Sequence, residues 1–180
     1  MAPHARSQGG AVTLAEALER TLDACSSARV ALAGGFALSV HAQPRATVDI
    51  DLMVFGAVDD VEAALRATFP SVYRNPQPLT YPLVTVHRFL LIDPNPGGEA
   101  TEQILDLLEP RNADFAGEAW QRVQRIRFRD RQVAVLSPEA LYILKRASDR
   151  TQDKADAEAL EAARTSGWDD DFIRRWLPAG

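Results

Sequence analysis

The sequence has one cysteine, Cys25, and three histidines among its 180 residues. A single thiol excludes an internal disulfide and any cysteine-rich zinc site. Cys25 itself reads as a small apolar filler on a helix. Long apolar runs are also missing. A membrane helix needs about 20 consecutive apolar residues, and the richest stretch here, Val30 to Val40, is cut by Gly34 and Gly35. Residues 1–12 lack the apolar core of a secretory signal and read as a flexible tail, so the chain is expected to be cytoplasmic. Basic residues are in deficit, 20 against 25 acidic, giving a net charge of −5 that argues against indiscriminate nucleic-acid binding. What remains is ordinary: 46% hydrophobic and 25% charged residues describe a globular chain. The length suits one domain at roughly 100–200 residues each.

Element signals are clear along most of the chain. Thr13 to Ala24 has helical apolar spacing, and Thr13 with Glu16 forms a capping-box pattern. Arg29–Ala33 is a short apolar strand ending at the diglycine, and Phe36–His41 a short helix stopped by Gln43-Pro44. Thr47–Phe55 reads as a strand and Asp59–Thr68 as an amphipathic helix with an acidic first turn. Leu83–Ile92 and Glu102–Leu108 are further strands, separated by the turn cluster Asp93-Pro-Asn-Pro-Gly-Gly. Val123–Phe128 and Gln132–Leu136 form a hairpin around Arg129-Asp130-Arg131. Ser137 caps a helix with Pro138 at its first position, running past Lys145, and another helix covers Asp153–Ala163. Strands come first and helices dominate the end, which predicts an α+β fold with a helical C-terminal third.

Two features carry chemistry. In a strand, side chains alternate, so Asp49 and Asp51 share one face while Val48, Ile50 and Leu52 take the other. Neighbouring carboxylates repel, and a shared Mg²⁺, a hard cation that also grips phosphate, would relieve them. Two ordinary aspartates on a solvent-facing edge strand fit the pair as well. Upstream, with 13 residues intervening, Gly34-Gly35 joins a strand to a helix, where missing Cβ atoms permit close backbone approach and helix N–H groups face an anion.

The order Gly34-Gly35, short helix, Asp49-Ile-Asp-Leu52 resembles the signature of the nucleotidyltransferase superfamily related to DNA polymerase beta. The fuller string, with Phe36-Ala-Leu38, His41, Arg45 and Thr47, is most similar to the AbiEii/AbiGii toxin-type branch. The later Leu144-Lys-Arg-Ala147 and Arg150-Thr-Gln-Asp153 with Asp156 resemble that branch's helical elements, except that Gln152 stands where a lysine is usual. The resemblance implies a nucleotidyltransferase fold: a mixed β-sheet with flanking helices over 13–136 and a helical part, 137–180, packed on it. It implies NMP transfer from an NTP to a hydroxyl on RNA such as tRNA, a protein or a small molecule, with Mg²⁺ or Mn²⁺ as cofactor and an antitoxin as partner.

The superfamily carries a third carboxylate, and Asp106 is the match. An acid interrupting an apolar strand is costly unless paired or metal-bound; Asp93, the rival, reads more simply as turn chemistry. Asp49, Asp51 and Asp106 are thus the implied catalytic and metal-binding set. Gly34, Gly35, Arg45, Thr47, Lys145, Arg150 and Asp153 are the candidate nucleotide and phosphate contacts. Lys145 and Arg150, five apart, are expected on partly different faces, and a solvated helix surface describes them equally well. Asp153 and Asp156 share a helical face. His41 is expected to orient the Gln43-Pro44-Arg45 turn. Arg125, Arg127 and Arg129, with Arg131 beside them, form a basic stripe that suits a phosphate backbone or simply an exposed sheet edge. A catalytically silent binding or antitoxin-like module is the competing reading of the whole chain.

Overall fold

Local sequence chemistry accounts for most of the elements. A computed structural model describes residues 13–94 and 100–177; the expected tail 1–12 and residues 95–98 of the turn cluster lie outside them. Helix α1, Leu14–Ala24, starts at the expected capping box, with Thr13 N–H donating to Glu16 Oε2 at 2.7 Å and Glu16 N–H donating to Thr13 Oγ1 at 3.3 Å. Strand β1 is Val30–Leu32, helix α2 Gly34–His41, strand β2 Asp49–Val54 and helix α3 Val58–Thr68. Then come β3 Ser71–Arg74, β4 Leu79–Thr80, β5 Val84–Pro94 and β6 Ala100–Pro110. Helix α4, Ala113–Gln121, precedes the hairpin β7 Gln124–Phe128 and β8 Arg131–Val135. Helices α5 Pro138–Arg146, α6 Thr151–Ala162 and α7 Asp170–Trp176 complete the described chain.

The strands form one mixed sheet in the order β3-β5-β6-β2-β1-β8-β7, with β4 on the edge of β5. Strand β2 runs parallel to β6 and antiparallel to β1, while β5 and β6 run antiparallel over eleven paired residues. The alternation expected of β2 holds. Ile50, Leu52 and Val54 pack under α1–α3 with Phe89, Leu105 and Leu107. Met53 faces the other layer, with Val86, Phe115, Ile143 and Phe172 under α4, α5 and α7. Asp49 and Asp51 share Met53's face, at the end of the sheet where that second layer stops. Cys25 is buried at the end of α1, and burial pushes its thiol up to about 12, consistent with a packing role.

Four elements were not legible in the sequence. Strands β3 and β4 are short and largely exposed, and exist because the edge of β5 offers backbone partners. Helix α4 carries a mid-helix glycine that blurs its period, yet Asn112 caps it by accepting from Asp114 N–H and Phe115 N–H. Helix α7 is capped by Asp169.

Some details differ from expectation. Helix α2 begins at Gly34 rather than Phe36, so the diglycine is its first turn. Arg131 opens β8, leaving Arg129 and Asp130 as the hairpin turn, with Arg129 at φ 50°. His41 does not orient the following turn; its Nε2 lies 2.6 Å from the Leu136 carbonyl, tying α2 to the end of β8. Among the described residues, no helix is long and apolar enough to cross a membrane.

Candidate active site

The site is assembled from both halves of the sequence. Register places Asp51 directly beside Asp106 across β2–β6, with Asp49 two residues along. Helix α2 enters above them. Gly34 has φ +51° and lies so close to Asp51 that a Cβ there would overlap the carboxylate. The Gly35 N–H donates to that same carboxylate. Asp51 itself is therefore the anion at the helix N-terminus. A Cβ on Gly35 would fall 2.8 Å from Thr47 Cβ and Oγ1. Both glycines are required by close approach, and Gly34 also by its backbone conformation.

Gly34→Ala is expected to cost about 1–3 kcal/mol, because it adds left-handed strain to the overlap with Asp51. Gly56→Ala is the control: a Cβ there meets nothing within 4 Å, and the midpoint should barely move. Equal urea midpoints for both variants would show that α2 and Asp51 do not press together as described.

Electrostatics mark Asp51 as the stressed member. Burial first, then the charges of Asp106 and Asp49, push its carboxyl up to about 6, with Lys145 acting in the opposite direction. Asp49 Oδ1 is buried without a hydrogen-bond partner. Asp106 is different. Both of its oxygens accept from Arg88, from Nε at 2.9 Å and from Nη2 at 2.7 Å. The cost of an acid in an apolar strand is thus met by an arginine on the next strand. The sequence held a signal for it, since Arg88 interrupts the apolar run of β5 as Asp106 interrupts that of β6.

The cationic side is built by the helices. Lys145 and Arg150 are not on one helix: Lys145 is in the last turn of α5 and Arg150 is the N-cap residue of α6. Both line the clefts that Asp51 also borders. Lys145 Nζ donates to Asp153 Oδ1 at 2.6 Å and lies 2.8 Å from Asp156 Oδ2. Burial works against the Asp153 charge, but hydrogen bonds from Lys145 and Ser148 outweigh it and hold the carboxyl below its ordinary value. Arg45 does not reach the β2 carboxylates; Nη1 donates to Asp156 Oδ1 at 3.1 Å. Thr47 Oγ1 donates to the Asp49 carbonyl at 3.1 Å, bracing the strand's entry. Asp93 is paired with Arg20, away from the site.

Two clefts meet at the carboxylates. One is polar, bordered by Gly35, Arg45, Thr47, Asp49, Arg150 and Gln152. The other has an apolar wall of Leu79, Tyr81, Leu83, Val86, Leu108 and Leu144. Gly34, Asp51, Arg88, Asp106, Lys145, Arg150 and Asp153 border both. Arg88, Ser148 and the apolar cleft are not among the features expected from the sequence. The basic stripe lies elsewhere. Arg125 and Arg127 are exposed, but Arg129 pairs with Glu19 and Arg131 with Asp23 on α1. The register of β8 on β1 and of β1 on β2 puts that turn at the end of the sheet opposite Asp49.

The comparisons agree with this architecture. Residues 16–88 match the family described as nucleotidyl transferase AbiEii toxin, type IV TA system. The match takes in Gly34, Gly35, Asp49, Asp51 and Arg88 and stops short of Asp106. An antigenic nucleotidyltransferase-like protein from Paracoccidioides brasiliensis superposes with a TM-score of 0.51 at 19% identity, over 84% of this chain and 75% of its own. A nucleotidyltransferase candidate from Helicobacter pylori superposes with a TM-score of 0.55 at 15% identity, over 88% and 71%. At these identities the likeness is one of fold. No curated protein matches the chain.

Proposed function

Since the chain has a nucleotidyltransferase fold and its residues 16–88 match the AbiEii toxin family, we propose that it is a metal-dependent transferase moving an NMP from an NTP to a hydroxyl. The observation that carries this reading is the cluster of Asp49, Asp51 and Asp106 on adjacent strands beneath the diglycine turn of α2.

The residues fit a divalent cation at two of the three acids. Asp49 Oδ1 is buried and unpartnered, and the Asp51 charge is disfavoured by burial and by its like-charged neighbours. A cation relieves both. Among the described residues, no three acidic, histidine or cysteine side chains form a ready cage, so Asp49 and Asp51 hold the ion with help from substrate phosphate. Bound there, Mg²⁺ or Mn²⁺ supplies charge to the reacting phosphate.

The chain's own residues do the rest. Arg150 and Lys145 face the triphosphate from the helix side, with Thr47 and Gly35 forming the wall of the polar cleft. The acceptor oxygen bonds to the α-phosphorus, the bond to the bridging oxygen breaks, and pyrophosphate leaves with that electron pair. The hydroxyl proton passes to Asp106, which returns it to solvent. As in the toxin family's name, a cognate antitoxin is the proposed protein partner.

A second reading, a silent binding module, is favoured by one observation: Arg88 occupies both oxygens of Asp106. Incubation with each α-labelled NTP, Mg²⁺, and either total RNA or protein lysate separates the two. Label on RNA or protein that requires Mg²⁺ is the expected result. No label with any NTP or acceptor would leave the silent module. The RNA arm carries its own check: Arg125→Gln with Arg127→Gln should weaken RNA labelling and lower its salt slope by about 0.7–0.9 for each phosphate no longer neutralised. Unchanged RNA labelling would take the stripe out of the acceptor site.

A further inference from the structure

Asp106 is 6% exposed, between the buried Leu105 and Leu107. A lone charge there is costly, and its partner is the residue directly opposite on β5, Arg88. The pair is lopsided. The Asp106 side chain is 9% exposed and that of Arg88 43%. The guanidinium borders both clefts, beside Gly34 and Asp51. Its hydrogen bonds to Asp106 hold it firmly charged. Asp51 and Asp106 are side by side in register, yet the described residues contain no ready three-ligand cage, and the two oxygens that would complete one are committed to Arg88.

We infer that Arg88 is a latch on the third carboxylate: it holds Asp106 until the substrate triphosphate draws the guanidinium onto its own oxygens and frees Asp106 for the divalent cation. This rests on the transferase reading above. The exchange is balanced. A guanidinium trades a two-pronged carboxylate contact for a phosphate contact of the same geometry. Asp106 trades one cation for another, so the buried carboxylate is never left alone. Arg88 thereby couples nucleotide binding to completion of the metal site, and is a positioning residue for Asp106 and a phosphate contact in turn.

The test reads Mn²⁺ binding without nucleotide, from the paramagnetic signal of the free ion. Arg88→Met should tighten nucleotide-free Mn²⁺ binding by about tenfold, within the usual range of coupling between two sites. Adding Asp106→Asn to that variant should erase the gain. Asp106→Asn alone should leave nucleotide-free binding unchanged and weaken it only with a non-hydrolysable NTP present. Arg88→Met binding Mn²⁺ no tighter than wild type would overturn the latch. So would a clear loss from Asp106→Asn without nucleotide, a near-isosteric arm that decides the matter if Arg88→Met does not fold. The readout is separate from transfer: normal labelling without the Mn²⁺ gain removes the latch alone, and the Mn²⁺ pattern without labelling removes the transferase reading alone.

Discussion

Asp49→Asn and Asp51→Asn are each expected to cut nucleotide transfer by at least roughly a hundredfold, the scale of losing one preorganised charge at a reacting phosphate, without unfolding the protein. Asp51→Asn should in fact stabilise it. The Asp51 carboxyl is pushed from 3.8 to about 6 in the folded state, so its ionised form is disfavoured by folding. Above pH 6 the wild type bears that cost, and between about pH 6 and 4 the folded chain takes up the proton and the cost fades. The asparagine variant never bears it. Its advantage in unfolding free energy, read from urea denaturation, should be about 1–3 kcal/mol near pH 7.5, after allowing for a half-buried group, and should vanish toward pH 4. A variant that instead unfolds at neutral pH would make these aspartates structural and remove the enzymatic reading with them.

Lys145→Met is expected to be the most destabilising of the single changes, by about 3–5 kcal/mol, because it strands two buried carboxylates. Asp153 would keep only the Ser148 hydroxyl at 2.7 Å, with Arg150 at 3.8 Å, and Asp156 only Arg45. Adding Asp153→Asn should restore part of the loss, since one of the two charges then no longer needs a cation. Thermal denaturation of the three variants measures this directly. An unchanged melting point for Lys145→Met would mean that the amine is not the counterion of α6. The network also explains why Asp153 and Asp156 sit three apart: both must reach one amine arriving from α5.

Several local decisions were legible from sequence. The capping box of α1, the diglycine turn, the alternation in β2 and the proline start of α5 each depend on residues within a turn or strand of one another. Such signals survive translation into structure because no distant group can easily reverse them. The contacts that the sequence did not show depend on distant groups. Arg45, a candidate phosphate contact just ahead of β2, has Asp156 as its partner, 111 residues away. His41 looked local to its turn and instead reaches Leu136. Half of the basic stripe is neutralised by α1, because Glu19 and Asp23 lie one helical turn apart facing the hairpin.

By itself the sequence determined that a strand would present Asp49 and Asp51 on one face, with two glycines just upstream on a helix entry. Period-two alternation and the steric freedom of glycine are properties of the residues themselves. Only the tertiary structure decided what those acids meet. Pairing β2 with β6 brought Asp106 beside Asp51, and pairing β6 with β5 placed Arg88 on Asp106. Strand register is set by packing the whole sheet between two helical layers, and a one-residue slip of β2 would turn Asp49 and Asp51 to the opposite face of the sheet. The meeting of three acids and one arginine is therefore a property of the sheet, written in no single segment of the chain.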